Sequence, residues 1–182
     1  RRNRADQKAH HKMQPRCHRH INAHKRGKEA AQHHAAFRRK VELVGKSNGA
    51  TYKITGNMLN VQNDAACVVL WTDDNGATYT KLTATENPAG YNFDLTGVPA
   101  NAVIKIAIKG DIDGNGQVNS LDASRIARSL LPEGHNLLVK LDTLSQTLAD
   151  IDGNDTVNLL DSSAISRSIL PSTNNLYRAL SW

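Results

Sequence analysis

The chain has 182 residues, is 39% hydrophobic and 4% aromatic, and carries 23 Lys and Arg against 17 Asp and Glu. Its apolar runs stop short of the roughly eighteen residues a membrane span needs, and Cys17 and Cys67 are too few for a disulfide framework. The formal net charge of +6 hides two unlike parts: residues 1–40 hold thirteen Lys and Arg against Asp6 and Glu29, whereas residues 41–182 hold ten against fifteen acids.

Residues 1–40 form a basic, His-rich segment whose apolar side chains, Met13, Ile21 and Phe37, follow no useful period. Such a stretch buries too little surface to offset its chain entropy, so it is expected to be a disordered, solvated tail. Nucleic-acid or anionic-surface binding through this tail is the alternative reading of the chain. Against it, Phe37 is the only aromatic platform. The histidines offer at most a weak metal site, with no C-x-x-C and with Cys17 alone. The Arg1–Arg4 start has no apolar stretch after it, so no export leader is read there.

Residues 41–109 read as a small antiparallel β-sandwich. The expected strands are Thr51–Thr55, Ala66–Thr72, Thr78–Ala84, Tyr91–Leu95 and Val103–Ile108, and Asp73-Asp-Asn-Gly76 is a hairpin signal between two of them. Cys67, inside an apolar run, is expected as a free core thiol, and Trp71 as a core or sheet-face residue. The acids here, Glu42, Asp64, Asp73, Asp74, Glu86 and Asp94, form no recognisable acid–base pair. The only His outside the tail is His135, which leaves no Ser-His-Asp arrangement. No catalytic residues are assigned.

Two copies of one acidic loop follow, Asp111–Asp122 and Asp150–Asp161, offset by thirty-nine residues. A twelve-residue Ca²⁺ loop draws oxygens from its first, third and fifth side chains, its seventh carbonyl and its twelfth carboxylate. Those places are Asp111, Asp113, Asn115, Gln117 and Asp122 in the first copy. In the second they are Asp150, Asp152, Asn154, Thr156 and Asp161. Asn119 and Asn158 at the ninth place are candidates for water-mediated ligation. Two Ca²⁺ ions are expected. Each loop opens a short helix, with Ile126/Leu130 and Ile165/Ile169 on its apolar stripe and Pro132 or Pro171 marking its end. The sixth place is Gly116 in the first loop but Asp155 in the second. It requires a positive φ, so a cost of about 1 kcal/mol and weaker binding are expected in the second loop.

The paired loops and helices, the closing Asp122 and Asp161, Val118 and Val157 at the eighth place, and a middle-helix segment Leu141–Ala149 resemble the dockerin family, over residues 110–182. That resemblance implies an α+β chain of two modules, a β-sandwich at 41–109 and an all-α dockerin at 110–182. It implies calcium-dependent docking to a cohesin domain of a scaffoldin. The module would tether an upstream polysaccharide-degrading or scaffold protein to an extracellular, cellulosome-like complex, as in anaerobic bacteria. It would be monomeric when unbound, with no membrane insertion. By the same resemblance, Ser120, Leu121 and Arg128 in one repeat, and Leu159, Leu160 and Arg167 in the other, would meet the partner. For Leu121 and Leu160, core and interface both stay open; Leu159 is expected at the surface. Near-identical halves imply two possible docking orientations, with Ser120 against Leu159 breaking the symmetry.

Overall fold

The computed structural model describes residues 39–45 and 49–182, and the expectations for residues 1–38, including the tail and its His cluster, lie outside them. Among the described residues, eight strands precede three helices. They are β1 (Lys40–Leu43), β2 (Thr51–Thr55), β3 (Met58–Gln62), β4 (Cys67–Thr72), β5 (Thr80–Lys81), β6 (Ala84–Asn87), β7 (Gly90–Asp94) and β8 (Val103–Ile108). The helices are α1 (Ser120–Ser129), α2 (Thr143–Ala149) and α3 (Leu159–Ser168).

The strands make two four-stranded sheets, ordered β1-β8-β4-β5 and β2-β3-β7-β6. In β3, Leu59 and Val61 alternate with exposed or half-buried neighbours, the pattern of a strand with one face on the core. Strands β4 and β8 are apolar nearly throughout because their sheet is covered on both sides. On one side Cys67, Val69, Ile104 and Ile106 pack with Leu59, Val61 and Phe93 of the second sheet. On the other, Leu70 and Ala107 pack with Ile112, Ile126, Leu148 and Ile165 of the helical region. Cys67 is a buried free thiol, and burial raises its pKa against the Asn63 amide. Trp71 is half-buried against the inter-sheet core.

Three expectations need correction. The sandwich is not wholly antiparallel, since β1 runs parallel to β8, with Glu42 beside Lys105. The two strands are separated by most of the sandwich sequence, so no hairpin dictates their direction. The expected strand Thr78–Ala84 is broken. Its first part, β5, pairs with β4, then Leu82 turns into the inter-sheet core and Ala84 starts β6 in the other sheet. The region from 110 onward is not all-α. Its three helices are ten, seven and ten residues long, set between acidic loops and turns. After Pro132 and Pro171 the chain continues as successive turns, His135 N to Pro132 O and Leu138 N to His135 O, then Asn174 N to Pro171 O and Tyr177 N to Asn174 O. Proline supplies no donor to prolong a helix there.

Residues 39–182 form one compact unit. Arg39 donates to the Leu95 and Val98 carbonyls at 3.2 and 3.1 Å. The last residues return to the strands, where Lys109 donates to the Ser181 carbonyl and Trp182 stacks on Tyr91. Among the described residues no helix is long and apolar enough to cross a membrane.

Candidate metal centre and docking face

Each acidic loop brings three carboxylates together, Asp111, Asp113 and Asp122 in one and Asp150, Asp152 and Asp161 in the other, with one oxygen of each within 4.8 Å of the rest. The twelfth-place carboxylates organise the loops. Asp122 Oδ1 accepts from the Ile112 and Asp113 amides at 2.8 and 3.2 Å, and its Oδ2 accepts from Asn119 N at 2.9 Å. Asp161 repeats this with Ile151 and Asp152 at 2.8 and 3.3 Å and Asn158 N at 2.9 Å. Both carboxylates are therefore also the third-residue halves of capping boxes that start α1 and α3. Asn119 and Asn158 are the N-caps themselves, with identical φ of −148° and ψ of −175°.

The fifth-place residues lie inside the same constellation. Asn115 N donates to Asp111 Oδ1 and Asp113 Oδ1, and Asn154 N to Asp150 Oδ1 and Asp152 Oδ1. Asn115 and Asn154 side chains accept from Gln117 N and Thr156 N at the seventh place. The Thr156 carbonyl accepts from Asn158 Nδ2. At the sixth place φ is +89° for Gly116 and +62° for Asp155, so the second loop holds an ordinary residue in a left-handed conformation.

Three converging carboxylates with amide-supported geometry fit a hard divalent cation such as Ca²⁺. The charges also oppose one another. Burial pushes the Asp111 carboxyl above its ordinary range, and the Asp122 and Asp113 charges add to that against the Gly116 and Asn115 amides. At Asp150 burial also pushes upward, yet Lys81 and the Asp155 and Gly153 amides bring the net shift below the ordinary range. Lys81 Nζ stands 2.7 Å from Asp150 Oδ2 and 3.0 Å from the Asp150 carbonyl. The two loops thus differ through a residue of the sandwich, which no motif within the loops could reveal.

The six residues expected at the partner interface are all exposed. Leu121, Leu159 and Leu160 are 62%, 63% and 68% accessible, which places none of them in the core. Arg128 and Arg167 are partly engaged: Arg128 Nε donates to the Leu137 carbonyl at 2.8 Å, and Arg167 Nε to the Leu176 carbonyl at 3.3 Å. These bonds expose a longer repeat than the loops suggested. Asn136-Leu137 and Leu141 recur as Asn175-Leu176 and Leu180, at the same offset as the loops. Leu141 and Leu180 pack on the same core cluster.

A model of the dockerin type I domain matches residues 109–170. No curated protein and no solved structure matches the chain.

Proposed function

We propose that residues 109–170, which match the dockerin type I domain, form a docking module that holds two calcium ions and docks on a cohesin of a scaffoldin. Dockerin domains bind calcium and are docking modules, not catalytic ones. Asp111, Asp113, Asn115, Gln117 and Asp122 would hold one ion, and Asp150, Asp152, Asn154, Thr156 and Asp161 the other. Calcium supplies positive charge that relieves the repulsion among three carboxylates in each loop. Asp122 and Asp161 link that relief to the starts of α1 and α3, because each carboxylate both lines its loop and caps its helix. Metal that binds only the folded form adds about 2.7 kcal/mol per site at a hundredfold excess over Kd.

The observation that carries the docking reading is the exposed apolar set Leu121, Leu159 and Leu160 at the helix starts the loops fix. Three strongly exposed leucines at the two matching helix starts are the kind of apolar surface an interaction site uses. Ser120 precedes Leu121, and the exposed Arg128 and Arg167 lie seven residues after Leu121 and Leu160, on the same side of each helix. In this reading the module tethers a polysaccharide-degrading or scaffold protein to an extracellular multi-protein complex.

Calorimetry of the chain against a panel of cohesins, first with calcium and then with EDTA, tests the proposal. Tight binding abolished by chelation is the expected result. Binding that persists in EDTA refutes calcium-dependent docking, and binding to no cohesin while calcium is held refutes the partner class.

A further inference from the structure

The two acidic loops have almost the same sequence but different electrostatic surroundings. Among the described residues, no ion pair involves the first loop; Asp111 is met by the Asn115 and Gly116 amides. In the second loop the equivalent Asp150, with its side chain only 6% accessible, is paired with Lys81. That ammonium engages both a carboxylate oxygen and the main-chain carbonyl of the first ligand residue.

The fold explains how Lys81 reaches it. Lys81 lies opposite Leu70 in the β4–β5 pair, and directly opposed residues share a sheet face. Leu70 is fully buried on the face that carries the helical region. Lys81 therefore leaves the sheet on the same side, at its β5 edge, and its aliphatic stem spans the distance to the loop. A second cation reinforces the asymmetry: Lys109 interacts electrostatically with Lys81, Asp150 and Asp152. Its own ammonium is held by the Ser181 carbonyl at 3.0 Å, so Lys81 makes the direct contact.

We infer that Lys81 is an internal competitor for the second loop, setting its cation affinity below that of the first and coupling its occupancy to the β4–β5 edge of the sandwich. The inference rests on the calcium reading of the loops. A divalent cation and an ammonium make opposing claims on the Asp150 oxygens. Filling the second loop must then weaken the Lys81 contact, and a firm Lys81 contact must weaken the filling, by the same factor. The second loop becomes the one that responds to cation concentration, while the first stays filled.

The test is a calorimetric Ca²⁺ titration of the full chain and of Lys81→Met and Lys81→Arg, with Asp113→Asn and Asp152→Asn assigning the two sites. At an effective dielectric suited to a protein surface, removing the nearby ammonium should tighten the second site by roughly tenfold or more. Lys81→Met is expected to do this while leaving the first site unchanged, which also reports that the chain is folded. Lys81→Arg should preserve the difference between the sites. An unchanged or weaker second site in Lys81→Met overturns the inference. No calcium heat from either loop of the parent chain overturns the calcium reading along with it. Should Lys81→Met fail to fold, Lys81→Gln, which keeps a polar end but removes the charge, answers the same question. It should also tighten the second site, and a second site no tighter than the parent's rejects the competitor role.

Discussion

The Ser162 hydroxyl donates to the Ala123 carbonyl at 2.8 Å, and these two residues occupy the same place in the two repeats. A contact between equivalent positions sets α1 against α3 where the repeats correspond. Leu121 and Leu160, two residues upstream in each repeat, hold equivalent places before this contact, both well exposed.

If the cohesin uses either half, Leu121→Ala and Leu160→Ala should each weaken docking by less than about tenfold, whereas the double variant should lose much more. Because these side chains lie outside the core, thermal stability should stay within about 0.5 kcal/mol of the parent. Calorimetry with each variant decides: one dominant single-site loss would establish a fixed orientation.

Asp155 is the residue whose backbone the second loop holds at a φ of +62°. Asp155→Gly should relieve about 1 kcal/mol of left-handed strain that the folded loop already carries, and so raise folding stability by about that amount. Chemical denaturation of the parent and Asp155→Gly measures the gain, and equal stabilities would mean that the loop holds Asp155 without strain.

Glu42 accepts hydrogen bonds from Lys105 and Lys40 at 2.7 and 2.6 Å, which lower its pKa from the usual 4.5 to about 2. A depressed folded pKa means that the charged form stabilises the fold. This contribution is fully present above about pH 4.5 and disappears as pH falls toward 2. Melting temperatures of the parent and Glu42→Gln across that window should converge at the acid end. Curves that remain parallel would show that this pair contributes nothing to the β1–β8 junction.

Trp182 lies flat on Tyr91, ring centres 4.1 Å apart and planes 10° from parallel, while Leu180 fills the space in front of Gly110. Trp182→Ala should cost about 1–3 kcal/mol by losing both stacking and buried area, and Trp182→Phe should recover part of it. Differential scanning calorimetry should record a lower melting temperature for the alanine variant. An unchanged temperature would mean that the last residues only rest on the sandwich.

The loops and the carboxylate clusters they form were readable because their acidic residues recur at fixed intervals within twelve positions. The helix stops were readable because proline writes them locally. The exposure of Leu121 and Leu160 was not, since an apolar residue beside a buried ligand fits a core or a surface equally well in sequence. Strand β1 escaped because Lys-Val-Glu-Leu is stabilised by the distant β8, and β6 because Leu82 redirects the chain between sheets. Lys81 escaped for a related reason: it acts on Asp150 across sixty-nine residues of sequence. Local patterning carries no record of a contact set by which face of a sheet meets a neighbouring helix.

A sheet packed on both sides also decides what can be transplanted. Cutting after Lys109 would release the acidic-loop repeats without Leu70 and Ala107, the apolar surface against which Ile126 and Ile165 lie. It would also leave the sandwich with an oily outer wall and the repeats with an open seam. A fusion protein intended to carry the acidic-loop repeats should therefore receive residues 39–182 as one cassette, because both halves depend on the same shared wall.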